Sequence, residues 1–365
     1  MTPPTSTSAR PSEGPIAVLA AANRDLRRFT LENGMTCLVK EERSAPVASV
    51  QFWVGTGAIH EEEYLGGGLS HYVEHMIFKG TPTRSPSDVV RDITGAGGEV
   101  NAYTAHDRTV FYTTIPAARW QVGFEVLADA MMHAHFPEDE WEREKNVIVR
   151  EMDMGRDDPD RVAGKLLYQN AYRVHPLQHP VIGYEDVFLS LTREDLLDFF
   201  QRHYVPDNMM LVVVGDVDAA EVETTIRETL AGFKRERRAP VVLPREPEQV
   251  SPRFARQTGS WHVSRLHAAW HTVDLAHPDA PALDILAHVL GAGRSSRLVD
   301  RIKEKKKLVF SIDAWSYTPG QPGLFGVSAN FPPEHEDRVL EAIEEEIVKA
   351  KEEVFSASDI EKARR

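Results

Sequence analysis

Two histidines and a glutamate within one short segment could bind a metal ion and catalyse hydrolysis. The segment reads His71-Tyr72-Val73-Glu74-His75. Residues four apart share one face of a helix, so both imidazoles can reach the same ion, and Glu74 lies on that side as well. Histidine nitrogens suit zinc, and a carboxylate beside an open coordination position suits hydrolysis. The order H-x-x-E-H, the inverse of the commoner H-E-x-x-H, therefore predicts a hydrolytic metal site on a helix.

A catalytic zinc ion needs a third protein ligand, and Glu151 is the candidate. Residues 138–154 follow a helical pattern after Pro137. Glu144 and Glu151 lie two turns apart on this helix and emerge from an apolar stripe. Because an inward-facing carboxylate without a partner is costly, a metal ion is the favoured partner for these two acids.

The bare motif also has a simpler interpretation, as a pair of surface or core histidines on an amphipathic helix. Its context favours the metal site. Residues 66–68 are all glycine, and Gly80 and Pro82 follow the motif, so the helix is expected to run from about Leu69 to Phe78.

Four segments resemble the pitrilysin, insulinase and mitochondrial processing peptidase family. Residues 71–81 are similar to the family signature H-F-L-E-H-M-x-F-K-G-T, and Glu151, 76 residues after His75, fits the third ligand of that family. Residues 97–104 (GGEVNAYT) and 203–216 (HYVPDNMMLVVVGD) are similar as well. The resemblance runs from about Leu26 to the last residue.

This resemblance implies a zinc-dependent metalloendopeptidase that holds one Zn²⁺ per chain through His71, His75 and Glu151. Glu74 would be the general base that takes a proton from water and passes it to the leaving amine. Glu144 would be a carboxylate that supports the site from behind. The expected substrates are extended or unstructured peptides.

Four further residues are expected to contact the peptide substrate. By resemblance, Asn101 and Ala102 would lie on an edge strand to which the peptide adds as an extra strand. In the second half, the family usually has an arginine and a tyrosine in a segment like L-R-E-x-x-x-L-x-Y, which helps to hold the substrate. Lys303 and Phe310 stand at those positions here, and neither offers the same hydrogen bonds.

The replacement of that pair leads to a hypothesis about partners. In some family members the metal motif and the Arg/Tyr pair lie on two unlike subunits. By this resemblance, this chain would be the metal-bearing subunit of a heterodimer. The homologous partner would carry the Arg/Tyr pair. The alternative is a homodimer or a monomer in which Tyr317 or Lys303 serves.

The order of strands and helices predicts an α+β fold with a mainly antiparallel sheet and helices on one face. We expect a disordered tail (1–25), a catalytic zinc-binding domain (26–232), a proline-rich basic linker (233–253) and an incomplete, homologous C-terminal domain (254–365). The resemblance implies that the two similar domains close like a clamshell. Among the elements, residues 47–54 predict a strand, and Thr192 with Asp195 predicts a capped helix start.

Composition excludes several other classes of protein. The net charge of −14 argues against nucleic acid or an anionic membrane as partner. No segment has the ~20 apolar residues of a membrane span, and no convincing signal peptide is present, so the cytoplasm is the expected location. The single cysteine, Cys37, excludes an intrachain disulfide.

Two other functions stay open at this stage. One is a non-catalytic assembly or chaperone-like subunit that keeps the fold, although such a chain is expected to lack a ligand or the base. The other is a zinc hydrolase that acts on a small amide.

Overall fold

The first half of the chain is built on one six-stranded sheet. The computed structural model describes residues 25–235 and 240–364. The strands are β1 (Leu26–Thr30), β2 (Thr36–Glu41), β3 (Val47–Val54), β4 (Glu99–Thr104), β5 (Thr109–Pro116) and β6 (Met209–Gly215). Their order is β1-β2-β6-β3-β5-β4, and only β2 and β6 run parallel. Strand β4 therefore forms one edge of the sheet.

One face of this sheet is buried because side chains alternate along each strand. On β3, Val50, Phe52 and Val54 are fully buried, whereas Gln51 and Trp53 between them are only half-buried. Helices supply most of the rest of the buried cluster, and loop residues complete it. The helices of this half are α1 (Leu69–Met76), α2 (Pro86–Gly95), α3 (Trp120–His133), α4 (Glu138–Asp157), α5 (Pro159–Ala171), α6 (Glu185–Ser190), α7 (Arg193–His203) and α8 (Ala219–Leu230).

Most of the predicted elements in this half are present. Strand β3 has the predicted bounds, α4 extends three residues beyond the predicted end at Met154, and the capping box at Thr192 opens α7. Helices α5 and α6 were not predicted. A signal for α5 exists in the sequence, because Asp158 caps its first turn and Pro159 occupies the first helical position.

The second half repeats part of the first on a three-stranded sheet. Its elements are β7 (Ser264–His271), α9 (Ala280–Gly291), a π-helical segment (Val299–Lys305), β8 (Ser311–Tyr317), β9 (Leu324–Phe331), α10 (Glu336–Glu352) and α11 (Ala357–Ala363). The strand order β7-β9-β8 has the same antiparallel pairing as β3-β5-β4. In both halves a helix follows the first strand, and another helix follows the hairpin. The α+β fold class is thus confirmed, with the same substructure in each half.

Helix α5 joins the two halves. Asp160, near its start, pairs with Arg265 of β7 at 2.5 Å, and the carbonyl of Ala171, at its end, lies 2.9 Å from Nε2 of His271. After this helix, Tyr172 is fully buried and donates a hydrogen bond to the Pro322 carbonyl at 3.0 Å.

The connection between the halves is docked on the first half. Over residues 240–253 it forms neither helix nor strand. The carboxylate of Glu246 accepts hydrogen bonds from the backbone N–H groups of Arg173, Val174 and His175. The guanidinium of Arg253 donates to carbonyls at the end of α5. Of the predicted linker, residues 236–239 lie outside the described residues, as does the predicted tail up to residue 24.

None of the helices in the described part of the chain is long and apolar enough to cross a membrane.

Candidate metal centre

Helix α1 presents the motif residues on one side because its other side belongs to the core. Tyr72, Val73 and Met76 are fully buried, whereas His71 and His75 are only partly buried. The alternation follows from 3.6 residues per turn. The two imidazoles therefore lie together, with ring centroids 4.6 Å apart.

A buried glutamate fixes the start of this helix. Glu61 accepts hydrogen bonds from the backbone N–H groups of Gly68 and Ser70, each at 2.9 Å. Gly68 has a φ of 75°, and a Cβ there would meet the Ile182 carbonyl oxygen at 2.3 Å. Burial raises the pKa of Glu61 to about 8, although the backbone donors act in the opposite direction. Sequence reasoning gave no role to Glu61.

Glu151 of α4 faces the two histidines of α1. Its Oε2 lies 3.7 Å from Nε2 of His71 and 3.8 Å from Nε2 of His75. All three ligand atoms lie within 4.8 Å of one another. Zinc–ligand bonds of about 2.0–2.2 Å allow ligand atoms to be at most about 4.4 Å apart. Slight adjustment of these side chains therefore lets all three bind one ion.

The protonation state of His71 suits a metal ligand. Burial, together with the neighbouring His75 and Arg161, lowers the pKa of His71 to about 3, so the imidazole is neutral. Its buried Nδ1 has no hydrogen-bond partner in the described structure. A neutral imidazole is the form that coordinates zinc. The donor set of two imidazoles and a carboxylate also fits a catalytic zinc ion.

Glu144 supports His75 from the side opposite to Glu151. Its Oε2 lies 3.0 Å from Nδ1 of His75, which leaves Nε2 of that ring free for a metal. Its Oε1 lies 2.6 Å from the ammonium group of Lys79. Although burial raises the pKa of Glu144, the hydrogen bonds from His75 and Lys79 more than offset it and lower that pKa. Sequence reasoning placed Lys79 in the signature but assigned it no role.

Glu74 lies between the metal group and the edge strand. The hydroxyl of Thr104, the last residue of β4, donates to Oε2 of Glu74 at 2.5 Å. Burial raises the pKa of Glu74, and the Thr104 hydrogen bond opposes this rise. A carboxylate with a raised pKa takes up a proton more readily at neutral pH, as a general base must. Thr104 is a further residue that sequence reasoning missed.

The four expected substrate-binding residues lie in two separate places. Asn101 and Ala102 are on β4, where Asn101 is exposed and Ala102 faces the helices. Lys303 is in the π-helical segment, and Phe310, with 57% of its surface exposed, precedes β8. Among the described contacts, none joins Lys303 or Phe310 to the metal group. The cation that does approach it is Arg161 of α5, 3.6 Å from Oε1 of Glu151.

Comparisons with known proteins identify the family to which a chain with this fold and this group of side chains belongs. A family model described as insulinase (peptidase family M16) matches residues 36–185. A second model, described as the peptidase M16 inactive domain, matches residues 190–365. The chain therefore belongs to peptidase family M16, the insulinase family.

Curated relatives span most of the chain. A Bacillus subtilis protein described as an uncharacterized zinc protease is 26% identical over 339 residues, which cover 93% of this chain and 82% of the relative. A Streptomyces coelicolor protein with the same description is 30% identical over 333 residues, which cover 88% of this chain and 71% of the relative. These relatives agree with a zinc protease at the level of the family.

Solved structures share the fold. A protease from Helicobacter pylori superposes with a TM-score of 0.86 at 24% identity, over 93% of this chain and 82% of that chain. A structure described as a peptidase M16 inactive domain, from Pseudomonas fluorescens, gives a TM-score of 0.85 at 18% identity, with the same coverage. At these identities the likeness concerns the arrangement of the chain alone.

Proposed function

We propose that this chain is a zinc-dependent metalloendopeptidase in which His71, His75 and Glu151 hold one zinc ion. The observation that carries the proposal is the convergence of these ligand atoms beside Glu74, which in turn contacts the edge strand β4 through Thr104. A metal group and a base next to a free strand edge suit the cleavage of an extended peptide.

The residues around the ion would divide the work as follows. When bound, zinc would acidify water and polarise the scissile carbonyl. Glu74 accepts the proton of the attacking water and returns it to the leaving amine. Thr104 orients the Glu74 carboxylate through its hydrogen bond. Glu144 fixes the ring of His75, so that Nε2 points toward the ion.

Extended or unstructured peptides are the proposed substrates because β4 has an unpaired edge. Its inner edge pairs with β5 along its full length, and its outer edge has no strand neighbour in the described sheet. An added peptide strand would form main-chain hydrogen bonds with every second residue along the segment that contains Asn101 and Ala102, and such bonds are independent of sequence. A strand that is already paired on both edges inside a folded substrate could not add to this edge.

Chelator-sensitive cleavage of an unstructured peptide tests the proposal. Wild-type protein should cleave the peptide, lose this activity to a zinc chelator and regain it when zinc is added. Glu74→Gln should bind zinc but lose about 10²–10⁴-fold in turnover. If the zinc-loaded wild type cleaved no peptide, the non-catalytic assembly role would replace the peptidase. Normal cleavage by Glu74→Gln would show that the base is another residue.

The heterodimer hypothesis remains part of the proposal because Lys303 and Phe310 cannot supply a guanidinium fork and a phenol. Activity of the purified chain tests it directly. Strong stimulation by a homologous subunit would support it. Full turnover without a partner would instead favour the homodimer or monomer.

A further inference from the structure

The two faces of the edge strand β4 differ in what they contact. Val100, Ala102 and Thr104 are half-buried on the side of the helices, where Thr104 reaches Glu74. Glu99 and Tyr103 point to the other face of the sheet and are exposed, together with Asn101 between them. A peptide paired with β4 would present every second side chain to this open face.

An aromatic cluster lies on the open face at the end of β4 that is nearest to the metal centre. Tyr103 and Trp53 make an edge-to-face contact with ring centroids 6.5 Å apart. The guanidinium of Arg108 lies over both rings, 5.8 Å from the centre of Trp53 and 5.9 Å from that of Tyr103. Asp107 pairs with Arg108 at 2.8 Å and offsets its charge. The cluster therefore offers aromatic rings and a charge-balanced guanidinium to a neighbouring side chain, and an aromatic side chain can pack favourably on both.

The other end of β4 carries an uncompensated negative charge. Glu99 is exposed, and no ion-pair partner for it is found among the described residues. A positively charged side chain on a paired strand would lie opposite it. Directly opposed residues have Cβ atoms about 4.5–5.5 Å apart, close enough for a favourable charge pair.

We propose that the open face of β4 selects two substrate side chains four residues apart, an aromatic one at Tyr103 and a basic one at Glu99. This inference rests on the proposed function and names its substrate class. Tyr103 and Glu99 are separated by four residues, which span about 13 Å on an extended strand. The aromatic position is closer to the scissile bond, because the neighbouring Thr104 contacts the base Glu74.

A matrix of enzyme and peptide variants tests this selection. Starting from one cleaved unstructured peptide, each position near the scissile bond is replaced in turn by Phe, Ala, Lys and Glu. The value of kcat/KM for each peptide is measured with wild type, Glu99→Lys and Tyr103→Ala. Glu228→Lys, which makes the same charge change at an exposed position of α8, is the matched control.

Each variant should affect one peptide position. At one peptide position, wild type should prefer Lys over Glu by roughly three- to tenfold in kcat/KM, and Glu99→Lys should prefer Glu over Lys by a similar factor. At a position four residues away, Tyr103→Ala should abolish a preference for Phe over Ala of roughly tenfold. Glu228→Lys should change neither preference.

Two results would overturn the inference. One is that no peptide position responds to the two variants although wild type cleaves the peptide, and the proposed function would then still stand. The other is a separation between the two responding peptide positions that differs from four residues, and an odd separation would place their side chains on opposite faces of the strand.

A binding measurement separates this inference from the proposed function. The same peptides are titrated against zinc-loaded Glu74→Gln and its double variants with Glu99→Lys or Tyr103→Ala, with fluorescence anisotropy as readout. If wild type cleaved no peptide, the two preferences should still appear as differences in Kd. Equal Kd values for all peptides would contradict the selection by β4.

Discussion

At the scale of the residue, the metal site depends on side chains that hold the ligands in place. The ammonium of Lys79 contacts Oε1 of Glu144, whose Oε2 contacts His75. Partners of this kind orient a ligating imidazole and raise its affinity for the metal. Lys79 should therefore act on the metal through Glu144 rather than by direct contact.

Removing Lys79 should weaken zinc binding. Lys79→Ala should raise the Kd for zinc by about 10–100-fold, because Glu144 loses the cation that fixes its orientation. Lys79→Arg should retain most of the affinity. The Kd is measured by competition with a chromophoric chelator, and Lys351→Ala, at an exposed site on α10, serves as control.

A double variant of Lys79 and Glu144 shows whether these two residues act on the metal site through the same chain of contacts. Lys79→Ala combined with Glu144→Gln should lose no more affinity than Glu144→Gln alone, because coupled residues are not additive. Additive losses would mean that Lys79 affects the site by another route.

Sequence patterns could place the metal residues because their spacing is local. His71, Glu74 and His75 share a face of one helix whatever surrounds it, and the helical spacing of Glu144 and Glu151 marked an inward face. Partners that come from other elements could not be found in this way. They are Glu61, Thr104 and Arg161, whose contacts depend on tertiary packing.

At the scale of the element, helix α1 is short and relies on its buried cap. Its eight residues cannot form a stable helix on their own. Glu61 satisfies two of the N–H groups at its start, those of Gly68 and Ser70. The position of the histidines therefore depends on a carboxylate ten residues upstream of His71.

Loss of this cap should destabilise the protein. Glu61→Ala leaves the N–H groups of Gly68 and Ser70 without acceptors, which costs about 2 kcal/mol and lowers Tm by roughly 4–8 °C. Glu61→Gln keeps one acceptor and should lie between wild type and Glu61→Ala. Calorimetry measures the change. Glu63→Ala, which removes only an exposed ion pair with Arg202, should have little effect. A Glu61→Ala protein as stable as the control would contradict this role.

The prediction of helices and strands succeeded where a local sequence pattern was strong. It failed where an element is stabilised mainly by tertiary contacts. The alternation along β3 and the capping box at Thr192 are strong local signals. Helix α5 has no fully buried residue, so its apolar pattern is weak. It is stabilised by the second half of the molecule, against which it packs, and a single-segment pattern cannot show that contact.

At the scale of the whole molecule, the two halves are joined through α5 and the buried Tyr172. Its ring contacts Tyr168 and His271, and its hydroxyl donates to Pro322 of the second half. The turn between β4 and β5 also contacts the turn between β8 and β9, since the carboxylate of Asp107 accepts from the N–H of Gly320 at 3.1 Å. The second half thereby touches the hairpin that carries the edge strand.

Truncation of Tyr172 should uncouple the halves. Tyr172→Ala removes a fully buried aromatic ring, which costs about 3–5 kcal/mol, and should split thermal unfolding into two transitions. Tyr172→Phe loses only the hydrogen bond to Pro322, costs about 1 kcal/mol and should unfold in the same manner as wild type. A single, unshifted transition for Tyr172→Ala would show that the junction does not couple them.

The repeat of β–α–β–β–α in the two halves could hardly be read from the sequence. Strand β3 and its counterpart β7 each pair antiparallel with the corresponding strand of their half, but the burial of their side chains differs. Strand β7 packs against α5 and has no fully buried position. Similar backbones with different neighbours retain little common pattern.

Zinc stoichiometry is the most direct test of the account, because every proposed step depends on one shared ion. Elemental analysis after gel filtration should find about one zinc per chain in wild type and in Glu74→Gln. Glu151→Gln and His71→Ala should retain almost none at the same protein concentration. One zinc per chain in Glu151→Gln would contradict the account, since the carboxylate facing both imidazoles would then not be a ligand.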